Sequence, residues 1–458
     1  MGKPTLRCLM ATAQMAPNFL SSLLIRLEEA RARTDALFDL LPPNSFYSRP
    51  IPERHRLIFY LGHLEAFDWN LLSATLGMES HDRGFDKLFA FGIDPVGGDL
   101  PAERPGDWPN IAQVELYNRR CRGRLDKRFH DPASAALDPS LADGTLIQVA
   151  IEHRLMHAET LAYLFHNLPP ERKILHPRTT ADPKPAPRPR QVTIPAGIAT
   201  LGQPAGQGHS FGWDNEFGVQ EVFVPAFSID VFPVTNAEFM RFVHAGGYEN
   251  SRHWSAKDWE WRLQQRLEHP HFWAPRSSSP ATDPDTQWEY RTMFGTIPLP
   301  PSWPVYVSHA EASAFARWAG RKLPTEAQWH RAAYGTTEGH ERSYPWGDAR
   351  PAANLGNFHF QRWDAAPVDS DPDGASAFGV FDLLGNGWEW TSSTFAPLTG
   401  FEPFPFYPGY SANFFDGKHF VMKGGSPRTD ACMLRRSFRN WFQPHYPHVY
   451  ATFRCVAD

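Results

Sequence analysis

After Leu168 the chain reads PPERKILHPRTTADPKPAPRPR, ending at Arg190. Proline has no amide proton to give to a helix or a sheet ladder and holds φ near about −65°, so no regular element can run through this stretch. The segments before and after it must therefore each bury a core of their own. With 458 residues, about three times a ~150-residue domain, the chain is long enough for that on both sides.

Residues before the break carry helical periodicity. From Asn18 to Leu41 the apolar set Phe19, Leu23, Leu24, Leu27, Ala30, Leu37, Leu40 and Leu41 recurs mainly at three- and four-residue steps, with Arg and Glu between. A second helix is expected over Pro52–Leu76, carrying Leu57, Phe59, Tyr60, Leu64 and Phe67, a third over Asn110–Phe129 and a fourth over Asp143–Asn167. Four helices with one long connection, residues 78–109, describe a four-helix bundle, a fold that builds metal sites from facing helices.

Beyond the break the pattern changes to short β-like runs, such as Gln191–Ile194 and Val222–Val224, separated by Gly, Pro, Asn and Asp. Two helices are expected there, near Asn236–Ala245 and Ser308–Ala319. The chain's 16 Trp, 34 Phe and 43 Pro combine large apolar area with turn formers, which points to long irregular loops packed by aromatics. The expected division is a metal-binding helical bundle over 1–167, a linker over 168–190 and a mixed α+β domain over 191–458.

The formal net charge of −5 leaves no electrostatic footprint for nucleic acid, and no apolar run reaches the ~18 residues of a spanning helix. Small-molecule partners are expected instead. Cys8, Cys121, Cys432 and Cys455 are too widely spaced for a CxxC metal site and too few to staple a chain this long, which fits a reducing cytoplasm. Lys3 and Arg7 precede a stretch that Gln14, Pro17 and Asn18 interrupt before a secretory core forms.

The run EHRLMHAET on the fourth helix places His153 and His157 four residues apart. An i, i+4 pair projects both imidazoles from one face, as two ligands of one ion require. Alone the spacing is a weak signal, and two solvated histidines would share it. His63, in YLGHLEAFDWN on the second helix, stands among apolar residues and can supply a third imidazole across the bundle. Glu159, if near, is suited to orient a ligand from outside the coordination shell. Three neutral imidazoles suit Zn, Fe, Cu or Ni; on one face of an octahedral ion they leave three positions for substrates and O2, which is oxygenase chemistry.

The pattern His63 … His153, His157, Glu159 resembles the DinB-like domain of the non-heme iron sulfoxide synthases of ergothioneine and ovothiol biosynthesis. The second half resembles the formylglycine-generating-enzyme (sulfatase-modifying factor, C-type-lectin-like) domain fused to it, through FPVTNAEF (232–239), RKLPTEAQW (321–329), YPWGD (344–348), NGWEWT (386–391), GGS (424–426), FRNW (438–441) and Phe453-Arg454. The resemblance implies an α+β fold for that half, Fe(II) held by His63, His153 and His157, O2 as co-substrate and hercynine, the trimethylated betaine of histidine, as acceptor. It places Asn440 and Trp441 at the carboxylate and ammonium ends of hercynine, and a proton-delivering tyrosine at Tyr407 or Tyr410. A structural Ca ion is permitted by the abundant Asp and Asn. Formylglycine synthesis itself is not implied, since that activity needs two cysteines after the GGS turn and Gly424–Arg439 holds only Cys432. Within the motifs, burial is expected of Trp388 and Trp390, and structural pairing of Arg321 and Glu326.

The chain departs from relatives that accept γ-glutamylcysteine. They carry an Arg-x-x-Arg pair in the bundle loop that here reads FGIDPVGGDL (91–100); Phe442 stands where they have Asp, Tyr446 where an arginine binds the donor carboxylate, and Met156 where they have Gln. A bidentate arginine clamp cannot be replaced by an aromatic ring. The expected pocket, with Phe442 and Tyr446, is less charged and suits a neutral ring-shaped donor. PERHRLIFYLGHLEAFDWN and LFAFGIDPV are similar to the selenoneine synthase branch, which joins hercynine to a selenosugar. The readings carried forward are C–Se bond formation, an ergothioneine-type sulfoxide synthase using cysteine or another thiol, a Zn-dependent DinB-like thiol transferase, and a sugar-binding module without catalysis.

Overall fold

A computed structural model describes residues 17–90, 102–131, 141, 143–174, 179, 184–206, 210–276 and 287–457. Four long helices, α1 (Pro17–Phe38), α2 (Leu57–Leu72), α4 (Ile111–Phe129) and α5 (Thr145–His166), form the N-terminal bundle, with a short α3 (Arg83–Leu88) in the long connection. Helix α1 packs on α5, and α2 packs on both α4 and α5. The second helix starts at Leu57 rather than Pro52, because Ile51–Arg54 closes a hydrogen-bonded turn before it. Asn110 caps α4 by accepting from the Gln113 amide at 3.0 Å, while the Gln113 side chain returns the bond.

The bundle interior is largely apolar, but it holds a buried ionic cluster and a group of buried histidines. Arg154 is fully buried on α5 and donates to Glu65 (3.0 Å) and Asp68 (2.6 Å) on α2. Burial by itself raises the Glu65 carboxyl, but Arg154 and Arg122 outweigh it and hold Glu65 at about 2. Such a pair adds little net stability, but breaking it strands a charge.

Beyond the linker the chain builds small sheets joined by long loops. Strands β1 (Gln191–Ile194), β4 (Phe227–Asp230) and β12 (Val456–Ala457) form one sheet in the order β1-β4-β12, and β2 (Gly197–Leu201) pairs with β3 (Gln220–Val224). Strands β5 (Trp273–Pro275), β6 (Trp288–Thr292) and β7 (Gly295–Pro298) form another. The largest, in the order β10-β9-β8-β11, uses β8 (Gly387–Thr394), β9 (Phe420–Gly425), β10 (Asn440–Phe442) and β11 (Ala451–Thr452), with β11 parallel to β8.

Among the described residues of this half there are four helices, not two: α6 (Asn236–His244), α7 (Ala256–Gln265), α8 (His309–Trp318) and α9 (Glu326–Tyr334). The two extra ones have start signals in the sequence. Ser255 accepts from the Asp258 amide, and Thr325 with Gln328 makes a capping box. Helix α7 buries no residue fully, packing only the half-buried Trp259 and Trp261 against the core, so its apolar face is too narrow to betray it.

Helix α5 is buried nearly all round, because the second domain covers the face that the bundle leaves open. On that face Glu152, Met156, Glu159, Tyr163 and His166 meet residues of the C-terminal half. The proline-rich segment is tied down at its start, where Lys173 donates to the Met293 carbonyl.

Replacing Arg154 with Leu is expected to leave Glu65 and Asp68 buried without their partner and to destabilise the bundle by about 3–5 kcal/mol. Urea denaturation followed by helical circular dichroism measures this; a midpoint equal to the parent's contradicts it.

Candidate metal centre

Helix α2 delivers His63 and α5 delivers His153 and His157, all buried, with one ring nitrogen from each within 4.8 Å of the others. Ring centroids lie 4.4 Å apart for His153–His157, 4.9 Å for His63–His157 and 5.3 Å for His63–His153. The histidine pair is thus a buried cluster and not a solvated face.

The orientation of His63 follows from its neighbours. Gly62 lets the Phe89 ring close on α2, since a Cβ there would lie 2.6 Å from the ring. The Phe89 carbonyl is then 2.7 Å from His63 Nδ1, which donates to it and leaves Nε2 as the ligand atom. Phe59 stacks on His63 at 4.9 Å and Phe67 on His153 at 3.4 Å, excluding water from both rings.

His63 Nε2, His153 Nδ1 and both nitrogens of His157 are buried without a hydrogen-bond partner. Burial depresses all three imidazoles: His63 to about 4, and His153 and His157 well below the usual histidine value, His153 with help from His157 and His63 and His157 with help from His63 and Arg54. Each is neutral at pH 7, the form a metal binds. Orphaned, converging, neutral nitrogens fit a resident first-row metal ion, and the donor set admits iron. Among the described residues no acidic cluster of metal-holding geometry accompanies it.

Glu159 does not orient an imidazole. Its carboxylate accepts from Trp388 Nε1 (2.7 Å), Ser426 Oγ (2.6 Å) and Thr429 Oγ1 (2.9 Å), so it ties α5 to β8 and to the turn after β9. Trp388 and Trp390 are both buried, and Trp390 donates to the Val307 carbonyl. Arg321 pairs with Asp230 and Glu326 with Arg439, as structural groups.

The loop expected to supply a proton donor reaches the cluster from two sides. Tyr407 lies 5.4 Å from Phe67, the ring stacked on His153, and the Tyr410 hydroxyl donates to Met156 Sδ at 3.4 Å, one residue before His157. Tyr410 lies 5.5 Å from Trp441, whose other neighbours are Phe395, stacked at 4.1 Å, and Phe414 at 5.6 Å. Asn440 Oδ1 accepts from the Trp441 amide.

Phe442 and Tyr446 stack at 5.2 Å, but the pocket beside them is not short of charge. Arg54, from the turn before α2, donates through Nε to Tyr446 Oη at 2.8 Å and is close enough to His157 to depress its pKa. Sequence reasoning missed Arg54, since nothing local marks a turn residue as a neighbour of a strand end in the other domain. The 91–100 stretch that lacks the Arg-x-x-Arg pair lies outside the described residues.

A helical bundle whose three-imidazole cluster is closed by a loop-rich α+β domain is the class that the fold and the site define. Residues 177–458 match the sulfatase-modifying factor enzyme 1-like domain, and residues 26–161 match the DinB superfamily. The hercynine oxygenase of Mycolicibacterium thermoresistibile is 38% identical over 338 residues, covering 71% of this chain and 72% of that protein. That of Mycolicibacterium smegmatis is 38% identical over 327 residues, covering 69% and 72%. The ergothioneine biosynthesis protein 1 of Neurospora crassa is 29% identical over 503 residues, covering 92% of this chain and 56% of that protein. The chain belongs to this family of oxidative enzymes, in which a DinB-like domain is joined to a sulfatase-modifying factor domain. No helix among the described residues is long and apolar enough to cross a membrane.

A Gly62→Ala substitution pushes a methyl group into the Phe89 ring and is expected to cost about 1–3 kcal/mol. It also disturbs the carbonyl that orients His63. Thermal unfolding together with Co(II) titration reads both effects; an unchanged melting temperature and unchanged Co(II) affinity refute the account.

Proposed function

We propose that this chain is an O2-dependent non-heme Fe(II) enzyme that bonds a chalcogen donor to the imidazole C2 of hercynine, with a metal-binding bundle over 1–167, a linker over 168–190 and a substrate-holding domain over 191–458. The observation that carries the reading is the cluster of orphaned, neutral imidazoles of His63, His153 and His157, with Tyr407 against the Phe67 ring that stacks on His153, Tyr410 against Met156, and Trp441 beside Tyr410. These three histidines would hold the metal. When bound, iron would bring the substrates and O2 together and activate O2, which is the oxidant that takes the electrons of the coupling.

The chain's own residues hold the acceptor. A quaternary ammonium donates no hydrogen bonds, and the Trp441 indole with Tyr410 and Phe414 beside it offers an aromatic surround that attracts a cation by about 0.5–2 kcal/mol. Asn440 has an amide NH2 to donate to a carboxylate. Burial raises the Tyr410 phenol well above its ordinary value, so its proton stays on Oη at neutral pH; with Tyr407 it forms the proton-donor pair of the site.

Two donors remain in play, each on a specific observation. The named relatives act in hercynine and ergothioneine chemistry, which favours a thiol such as cysteine. The Phe442–Tyr446 stack favours a selenosugar, whose C–H face would lie on the rings while its hydroxyls meet the Arg54 edge. A selenolate is also largely ionised at neutral pH, unlike a thiol with pKa about 8.5, and needs no base to bind metal. We take the selenosugar as the reading for this chain.

Anaerobic reconstitution is expected to load one Fe(II) per chain, and His63→Ala and His157→Ala to lose it with the bundle still helical. Stoichiometric iron in both variants refutes the ligand assignment, and stoichiometric Zn with no O2 uptake supports a thiol transferase.

With hercynine, Fe(II) and O2, a competition among a selenosugar, its thiosugar analogue, cysteine and γ-glutamylcysteine is read by mass spectrometry. The expected order places the selenosugar first and γ-glutamylcysteine last. Preference for cysteine returns the chain to the sulfoxide synthases.

A further inference from the structure

We propose that Glu152 is a positioning residue for Tyr410, acting through the Trp213 indole to hold the tyrosine ring against the helix that carries His153 and His157. Glu152 directly precedes His153 and takes no part in the three-histidine cluster. Its side chain leaves the bundle and accepts from Trp213 Nε1 at 2.9 Å, and Trp213 lies face to face with Tyr410, with centroids 4.0 Å apart and planes 25° apart. The far edge of the same tyrosine donates to Met156 Sδ at 3.4 Å. Both supports of Tyr410 therefore connect to α5, through Glu152 and Met156, four residues apart.

The carboxylate is itself held. Arg435 forks onto Glu152 at 2.7 and 3.0 Å and binds Glu216 through Nε at 2.7 Å. Glu216 also accepts from the Trp213 backbone amide at 2.8 Å and from Ser437 at 2.7 Å, so one buried network holds both the backbone and the indole of Trp213. Ser411, directly after Tyr410, donates to Asp214, directly after Trp213. A group that must meet a reacting atom loses rate steeply with displacement, and an anchor shared with the histidines removes that freedom.

This inference rests on the proposed role of Tyr410, but its test does not. With 3-fluorotyrosine placed at Tyr410, the metal-free full-length protein is examined by fluorine NMR. In Glu152→Ala the resonance is expected to shift and broaden; in Glu152→Gln, which keeps an oxygen acceptor for the indole, it is expected to stay at the parent position. An unmoved resonance in Glu152→Ala, or an equal displacement in both variants, overturns the proposal. Should Glu152→Ala fail to fold, Trp213→Phe keeps an aromatic ring but removes the indole N–H donor together with the fused ring. Its kcat is expected to fall by about ten- to a hundredfold at unchanged iron content, and kcat within twofold of the parent overturns the proposal. Because the fluorine signal is read without iron or hercynine, failure of the reaction assignment shows as absent turnover in the parent and leaves the positioning result standing.

Discussion

Helix α5 has water on neither of its long faces, and the rest of the molecule is arranged around the consequences. A helix buried all round must satisfy every polar side chain it carries with another part of the protein. Arg154 turns into the bundle and is met by Glu65 and Asp68, while Glu152 and Glu159 turn outward and are met by Arg435, Trp213, Trp388, Ser426 and Thr429. His153 and His157 face neither partner set, and their nitrogens stay orphaned beside His63.

This explains why the centre lies at the boundary between domains. The bundle can orient imidazoles precisely because helices are stiff, and the Gly62–Phe89–His63 contact shows how a missing methyl group serves that end. Substrate-sized groups need loops of varied shape, and those come from the α+β half. Carboxylates projecting from α5 into buried hydrogen-bond networks bind the two halves with the directional precision that an apolar interface alone would lack.

Charge near the site is also decided across that boundary. Tyr446, after the β10 strand, carries no charge of its own, yet Arg54 brings a guanidinium to it from the bundle. The residue that looks like a loss of charge along the chain is in space one half of a cation–aromatic pair, with the Arg54 guanidinium carbon 5.1 Å from the Tyr446 centroid.

What the sequence by itself determined is what short-range order encodes. The proline run separates two halves, the three- and four-residue periodicity marks the long bundle helices, and the i, i+4 spacing puts His153 and His157 on one face. Capping boxes at Thr325 and Ser308 are equally local, yet only the helix after Ser308 was expected and α9 was not. Helix α7 was not either, because its apolar face is narrow and only half-buried. The tertiary structure alone decided the partners of side chains far apart in the chain: Arg54 with Tyr446, 392 positions away, and Glu152 with Arg435, 283 away. It also turned Glu159 from a presumed support of the histidines into a tie between domains. Periodicity reports which face of an element is buried but not against what, and a charged residue on a helix reads the same whether its counter-charge is water or a guanidinium brought by the opposite half of the fold.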